Sequence, residues 1–352
     1  MPKDMLFVGS IPCDTVEEVF RTWGHTFSPS LKYMPDGEVG ERLHWIEGQA
    51  FKVYNGHPQI ETLTRPQPDN GRERWKPRDL SDQWTFRVKD GVERVLWADP
   101  GWRLGYARDA LNSYFIFKTL KKEGVLPREL RLLVALPTPE SATLVHFRDP
   151  TQRDIIVPSY EEMMLAEVAT MTENIPHDEL AIQWDAACES LDIETGLPWL
   201  GPPTEARFKR YVTQFERLGA AVPAGVAMGI HACFGTLGGW PMIKPDNLVK
   251  QVRLLNESVV AAKRKVDYVH LPMIENTKPN YAAALKDLSV GDTDVYLGMI
   301  HNMPTFPERL KNARTYLTDF KLAAPCGLGR ISRPEMEAVM RDHKQALNLL
   351  HQ

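Results

Sequence analysis

The run Ala224-Gly225-Val226-Ala227-Met228-Gly229-Ile230-His231-Ala232-Cys233 is apolar almost throughout and ends in two side chains that can bind a metal. Such a run is typical of a parallel strand that is buried on both faces. Similar apolar runs recur along the chain. Together the runs predict eight strands, at residues 5–11, 31–35, 131–136, 180–185, 224–231, 266–274, 295–300 and 320–324.

Amphipathic stretches that predict helices alternate with these runs. They lie at residues 15–22, 40–54, 106–123, 160–172, 205–218, 246–264, 281–287, 306–318 and 332–350. Eight strands alternating with helices favour a closed (β/α)8 barrel over an open sheet. No Gly-x-Gly-x-x-Gly turn follows the first run, as a dinucleotide-binding open sheet would require. We therefore predict an α/β fold, a single TIM-barrel domain over residues 1–352.

Residues 55–105 interrupt this alternation. The segment is polar, rich in Pro, Arg and Trp, and longer than an ordinary connection. Inside it, residues 84–88 and 92–97 flank Lys89-Asp90-Gly91, which predicts a β-hairpin. We expect this insertion to cover one end of the barrel or to form a contact in a homo-oligomer.

The composition restricts the classes of function. The formal net charge is −4, which argues against a nucleic-acid surface or an anionic-membrane binder. The N-terminus lacks the pattern of a signal peptide, and no apolar stretch is long enough to span a membrane. Four cysteines in 352 residues are too few for a disulfide framework. We therefore expect a cytoplasmic protein with free thiols.

Polar side chains follow almost every predicted strand at its carboxyl end. In chain order they are Ser10, Glu38, Glu140, Asp185, His231 with Cys233, Glu275, His301 and Cys326. The βα loops of a barrel gather at this end, and barrel enzymes carry their catalytic groups there. The opposite end shows no comparable concentration, so the distribution predicts an active site and hence an enzyme.

Four of these residues form a candidate metal site. Zinc binds thiolate sulfur, imidazole nitrogen and carboxylate oxygen in a tetrahedron, so His231, Cys233, Glu275 and Cys326 predict a Zn²⁺ site. Glu275 has an ordinary alternative role, as a helix cap or as the partner of a cation. We interpret the two remaining cysteines, Cys13 and Cys188, as buried structural residues.

Short motifs in a fixed order carry a family resemblance. They are Val8-Gly9-Ser10-Ile11-Pro12, Asp36-Gly37-Glu38, Ile182-Gln183-Trp184-Asp185, Ile230-His231-Ala232-Cys233, Ile274-Glu275, Gly298-Met299-Ile300-His301 and Cys326-Gly327-Leu328-Gly329-Arg330. In these motifs the chain resembles the catalytic C-terminal barrel of cobalamin-independent methionine synthase, within the uroporphyrinogen-decarboxylase-like barrels. The resemblance implies the same four zinc ligands.

The resemblance also implies a site for an amino-acid thiol such as homocysteine. Glu38 and Asp185 would hold the ammonium group, and the backbone near Ser10 would receive the carboxylate. His301 would act as an acid or orient the electrophile, so His301 and Asp185 are the candidate catalytic residues.

Departures from the family motifs leave the alkyl donor unidentified. Asp185 is followed by Ala186-Ala187-Cys188 where the family has Glu-Pro, and the family's third-strand motif is replaced by Leu136-Pro137-Thr138-Pro139-Glu140. The tryptophan that serves the family as a folate platform is missing. An insertion also lengthens the segment between Cys233 and Glu275.

Three functions remain open at this point. The first is zinc-dependent transfer of a methyl or other alkyl group to a small-molecule thiol. The second is a zinc-barrel lyase or decarboxylase that acts on a small carboxylate or thioether. The third is a barrel with a structural zinc and a binding role.

Overall fold

The computed structural model of the protein describes residues 3–97, 103–275, 278 and 280–352. Its strands are β1 (Met5–Leu6), β2 (Tyr33–Pro35), β3 (Ile60–Thr64), β4 (Thr85–Val88), β5 (Arg131–Pro137), β6 (Leu180–Ala186), β7 (Ala227–Ala232), β8 (Tyr268–Pro272), β9 (Asp294–Gly298) and β10 (Lys321–Ala323). Eight of these strands form a parallel sheet in the order β1-β10-β9-β8-β7-β6-β5-β2.

Two parallel bridges join the ends of this sheet. Met5 pairs with Leu31, and Ser10 pairs with Gly37, so β1 and β2 lie side by side and the sheet is nearly closed. The predicted (β/α)8 barrel is therefore confirmed. The first strand is shorter than predicted, because after Leu6 the chain leaves the regular ladder and lines a cavity at the carboxyl end of the barrel, where Ser10 forms its single bridge with Gly37.

Helices lie between the barrel strands. The α-helices are α1 (Val16–Val19), α2 (His25–Phe27), α3 (Ile46–Gln49), α4 (Tyr106–Lys122), α5 (Pro139–Leu144), α6 (Arg153–Asn174), α7 (Ala187–Thr195), α8 (Glu205–Ala221), α9 (Val249–Ala261), α10 (Phe306–Tyr316) and α11 (Met336–Leu350). Tighter 3₁₀ turns lie at Ser28–Ser30, Gly40–His44, Pro150–Gln152, His177–Glu179, Ala283–Asp287, Met303–Thr305 and Arg333–Glu335. Wider π turns lie at Phe20–Gly24 and Ala50–Tyr54.

Every predicted helical segment is helical in whole or in part, although the segment at 281–287 is only a 3₁₀ turn. Besides the three-residue helix α2, the predictions missed α5 and α7. Both helices are buried at nearly every position, so their sequences show no alternation of polar and apolar residues with a helical period. Among the described residues, no helix is both long and apolar enough to cross a membrane.

The interior of the barrel is filled by one side chain from each of its eight strands. These buried residues are Leu6, Tyr33, Leu133, Ala181, Ala227, Tyr268, Tyr296 and Ala323. The ring of Tyr268 lies against Gly229, where a Cβ atom would come within 2.0 Å of it. Glycine at this position therefore makes room for a large side chain, and the filled interior leaves space for a ligand only at the barrel end.

The insertion carries a two-stranded antiparallel ladder, but the predicted hairpin pairing is wrong. Strand β4 pairs with β3, and not with residues 92–97. That segment packs on α6 instead. The ring of Trp97 lies 5.7 Å from that of Tyr160, and the backbone N–H of Val95 donates to the hydroxyl of Ser159. Val95 and Trp97 are thus buried against α6, and their segment does not pair with β4.

Candidate metal centre

The strand register aligns three polar side chains at the carboxyl end of the barrel. Asp185 on β6 lies beside His231 on β7, and His231 lies beside His270 on β8. Side chains at paired positions of neighbouring parallel strands point to the same side of the sheet. The three residues therefore form a row across three strands.

Three of the four predicted zinc ligands converge at the end of this row. The candidate ligand atoms of His231, Cys233 and Cys326 all lie within 4.8 Å of one another. The two sulfur atoms are 3.2 Å apart, although Cys233 follows β7 and Cys326 follows β10, three strands away in the sheet. Chain segments from separate parts of the barrel therefore supply one compact group of metal-binding atoms.

The contacts of His270 define the tautomer of His231. Nε2 of His270 lies 3.1 Å from the carbonyl oxygen of Ala324, so it must donate a proton there. Because burial lowers the pKa of His270 to about 3, its ring is neutral and its Nδ1 must accept. His231 Nδ1, 2.5 Å away, therefore donates, and its Nε2 keeps a lone pair. A neutral imidazole oriented by a second residue is the usual form of a metal-binding histidine.

The two thiols differ in acidity because they contact each other. The contact between their sulfur atoms lowers the pKa of Cys326 and raises that of Cys233. Cys326 is therefore the first of the two to become a thiolate. Two cysteines and one neutral histidine match the ligands of the catalytic zinc sites that leave a fourth position open. The residues present thus fit zinc.

Glu275 lies outside this group. Its carboxylate contacts Asn302, Thr305 and Arg309, and its side chain is 46% exposed. The guanidinium of Arg309 is only 7% exposed and needs a counter-ion, which Glu275 supplies. The structure therefore shows Glu275 in the alternative role considered above, as the partner of a cation.

His301 lies beside Glu275 and does not line the cavity described next. Its Nε2 donates to the carbonyl oxygen of Met273 at 2.8 Å. Burial lowers the pKa of His301 to about 4, so the ring is neutral at physiological pH. The catalytic role predicted for His301 therefore still depends on the resemblance alone.

A cavity of about 810 Å³, including its opening to solvent, adjoins the metal-binding group. All three of the converging ligands line it, as do the predicted substrate-binding residues Ser10, Glu38 and Asp185. Its walls are otherwise mainly apolar, from Val8, Leu43, Ile46, Leu80, Val145, Leu191, Leu237 and Met242. Because Leu80 belongs to the insertion, the cavity also shows that the insertion helps to cover this end of the barrel.

Two carboxyl groups face the cavity close to Cys326. Burial, with a smaller contribution from Asp36, raises the pKa of Glu38 to about 8. Burial and the neighbouring Glu38 raise the pKa of Asp185 well above its usual range. Glu38 also has a φ of +48°, in the left-handed region that non-glycine residues rarely adopt. A cation placed between these carboxyls would stabilise the ionised form of both.

A hydrogen-bonded glutamine fixes the carboxyl group of Asp185. Gln183 Nε2 donates to Asp185 Oδ1 at 2.8 Å and to the carbonyl oxygen of Val8 at 2.7 Å. Gln183 Oε1 accepts from the hydroxyl of Tyr268 at 2.8 Å. All of these partners are buried, so the network fixes the orientation of the Asp185 carboxyl group.

Ser10 contacts the loop that carries Cys326. Its hydroxyl accepts from the backbone N–H of Gly329 at 3.1 Å, and its carbonyl accepts from Leu328 at 2.7 Å. A Cβ atom at Gly327 would lie 2.3 Å from the Ser10 hydroxyl, so only glycine fits there. Ser10 therefore positions this loop, which is a role that the sequence did not predict.

The sequence reasoning also missed His270, Glu47, Gln83 and Arg330, which contact the ligands or line the cavity. A histidine within the apolar run 266–274 was a usable signal for His270, because its strand follows the one that carries His231. The sequence gives no comparable signal for Gln83, since it reaches the cavity from the insertion.

Among proteins of known structure, the chain is similar to a methyltransferase from Methanosarcina mazei, with a TM-score of 0.48 and 10% sequence identity. The alignment covers 97% of this chain and 94% of the methyltransferase. No protein-family profile matches the sequence, and no curated protein matches it. A likeness this weak supports no statement about reaction or substrate, which must be argued from the site.

Proposed function

We propose that the protein is a zinc-dependent enzyme that transfers a methyl or other alkyl group to a thiol such as homocysteine. The observation that carries this proposal is the convergence of His231, Cys233 and Cys326 beside a cavity. Structural zinc sites are closed by four protein ligands, whereas catalytic sites have three and leave a position for a substrate. The three converging residues match the catalytic pattern.

The cavity residues support a thiol with an amino-acid end. Zinc bound by the three ligands would lower the pKa of an incoming thiol and so make its sulfur nucleophilic. Glu38 and Asp185 lie close enough to Cys326 to influence one another electrostatically, and an ammonium group between them would stabilise the ionised form of both carboxyl groups. The apolar walls exclude water and suit the alkyl donor.

The bonds exchanged follow from this arrangement. A sulfur–carbon bond forms between the thiol and the alkyl group, and the bond from that carbon to its carrier breaks. The carrier leaves with the electron pair, and the proton of the thiol passes to the carrier or to water.

Metal analysis of cysteine variants tests the zinc site. Cys233→Ser and Cys326→Ser should each lose stoichiometric zinc, because each removes one of three ligands. Cys13→Ser is the matched control, since Cys13 is a buried thiol outside the group and should keep its zinc. Full zinc occupancy in both ligand variants would contradict the proposal.

X-ray absorption at the zinc edge then tests the role of the metal. Addition of homocysteine to the zinc-loaded protein should produce one new zinc–sulfur contact. An unchanged coordination shell would contradict thiol activation. It would favour instead a lyase or decarboxylase, or a structural zinc.

A further inference from the structure

One cation lines the cavity. Among the described residues that line it, Arg330 is the only lysine or arginine. Its side chain is 27% exposed, and its guanidinium makes no hydrogen bond within the described part of the chain. Among the described residues its ion-pair partner is Glu47, where Nη2 lies 3.7 Å from Oε2. This distance is too long for a hydrogen bond.

Arg330 lacks the hydrogen bonds to a carboxylate that a partly buried guanidinium usually makes. A guanidinium has five N–H donors, and the geometry of a carboxylate allows it to accept two of them at once. Arg207 of this chain shows the ordinary case, since it binds Asp192 through two hydrogen bonds of 2.7 and 3.2 Å. Glu47 Oε2 is likewise buried without a hydrogen-bond partner among the described residues. The Arg330–Glu47 pair thus leaves guanidinium donors without a hydrogen-bond partner among the described residues, on a side chain that lines the cavity and is partly exposed.

The backbone holds Arg330 at a defined place relative to the metal-binding group. It follows Gly329, whose N–H donates to the hydroxyl of Ser10, and Ile331 closes a turn onto Leu328 at 3.0 Å. Arg330 also lies close enough to Cys326 to lower the pKa of that thiol electrostatically. A ligand with its sulfur near Cys326 could therefore reach the guanidinium with its other end.

We propose that Arg330 binds the carboxylate of the substrate, so that the cavity selects thiols that also carry a carboxylate. This inference rests on the proposed function, because it takes the thiol to be the group held at the metal. It differs from the resemblance, which assigns the carboxylate to the backbone near Ser10. In the structure Ser10 instead holds the loop that carries Cys326 and Arg330, since its hydroxyl accepts from Gly329 and its carbonyl accepts from Leu328.

Glu47 is the residue that an incoming carboxylate would displace. It is buried, it contacts Arg330 only loosely, and its Oε1 contacts Gln83 Nε2 at 3.5 Å. The two carboxylates compete for one guanidinium, so removing the charge of Glu47 should strengthen substrate binding. This consequence separates a binding role of Arg330 from a purely structural one, in which loss of either partner would be harmful.

Calorimetric titration of the zinc-loaded protein with related small molecules tests this proposal. Homocysteine carries both charged groups, 4-mercaptobutanoate lacks the ammonium, and 3-mercaptopropylamine lacks the carboxylate. Arg330→Met should weaken binding of the two carboxylate thiols by about 10- to 100-fold, the usual effect of losing a charged hydrogen bond. It should leave 3-mercaptopropylamine unchanged. Arg330→Lys should have an intermediate effect, because lysine keeps the charge without the two-pronged geometry.

Two further variants complete the design. Glu47→Gln should tighten binding of the carboxylate thiols and leave 3-mercaptopropylamine unchanged. Arg341→Met, on the surface with a side chain that is 70% exposed, should change neither. The inference would be overturned if Arg330→Met weakened the binding of all three thiols equally. It would also be overturned if Glu47→Gln weakened the binding of the carboxylate thiols.

Pentanoate, which replaces the sulfur of 4-mercaptobutanoate with a methyl group, separates this inference from the proposed function. If pentanoate binds through Arg330 but no thiol contacts zinc, the carboxylate site stands and the proposed function fails. If thiols contact zinc with no preference for a carboxylate, the proposed function stands and the role of Arg330 fails. If none of the four compounds binds, both are overturned.

Discussion

Nδ1 of His231 lies 2.5 Å from Nδ1 of His270, and Nε2 of His270 lies 3.1 Å from the carbonyl oxygen of Ala324. Ala324 stands two positions before Cys326, so His270 connects the histidine ligand to the backbone that carries a cysteine ligand. The proton order along this chain leaves a lone pair on His231 Nε2. The zinc affinity should therefore depend on His270, although His270 is not one of the three candidate ligands.

Replacement of His270 by phenylalanine should lower zinc affinity by about 10- to 100-fold, as is usual when the partner of a ligand histidine is removed. Replacement of His270 by glutamine should lower the zinc affinity less, because the amide can still accept a hydrogen bond from His231 and donate one to Ala324. Competition with a chromophoric chelator measures the affinity. His343→Gln is the control, since His343 is a buried histidine bonded to Val339 in α11. Wild-type zinc affinity in a folded His270→Phe protein would contradict this prediction.

Gly298→Ala should weaken zinc binding without changing any ligand. A Cβ atom at this position would lie 2.6 Å from His270 Nε2 and 2.8 Å from the Cα atom of Pro325. The histidine ring or the strand must shift, and either shift disturbs the contact between His270 and Ala324. The same chelator competition measures the loss. Gly225→Ala, before β7, provides a control in which the new Cβ meets only His177, at 3.0 Å.

The barrel could be predicted from sequence because its strands are buried on both faces. Each strand appears as a nearly continuous apolar run, such as the one that ends at His231, and the polar residue after it marks the carboxyl end. The pairing inside the insertion could not be predicted in the same way. Residues 92–97 follow a turn signal and are rich in strand-forming residues, yet Val95 and Trp97 are buried on α6 and this segment does not pair with β4.

The candidate site could be predicted in part, since strand ends converge in any barrel. This rule is enough to bring together His231, Cys233 and Cys326. It does not determine where a flexible side chain points, and Glu275 turns to Arg309. The strand register explains why His270 was not predicted as part of the candidate site. A histidine inside an apolar run was visible in the sequence, but its position directly opposite His231 follows from the pairing of β7 with β8.

Glu275→Gln should keep stoichiometric zinc, because its carboxylate contacts Arg309 and not the three converging ligands. The free energy of unfolding should fall instead, because the buried guanidinium of Arg309 loses its counter-ion. Metal analysis and chemical denaturation of the same variant separate these effects. A loss of zinc as large as that of Cys233→Ser would show that Glu275 is the fourth ligand, as the resemblance implies.

The stability of the metal-free protein should fall with rising pH because of Glu38. Burial raises its pKa in the folded state to about 8, above the ordinary value of 4.5. Below pH 4.5 the carboxyl is protonated in both states and makes no difference. Between 4.5 and about 8 the unfolded chain releases the proton while the folded chain retains it, so unfolding becomes more favourable.

Glu38→Gln removes this contribution, so the variant should gain stability relative to the wild type across that pH range. The gain should have a slope of at most about 1.4 kcal/mol per pH unit and level off above the folded-state pKa. Urea denaturation from about pH 5 to about pH 9 measures it. Glu41→Gln is the control, because the hydrogen bond with Lys52 lowers the pKa of Glu41 and this variant should therefore lose stability by an amount that does not change with pH over this range. If the difference in free energy of unfolding between Glu38→Gln and the wild type did not change with pH, Glu38 would be ionised in the folded protein. The cavity would then hold a carboxylate at this position even without a bound ammonium group.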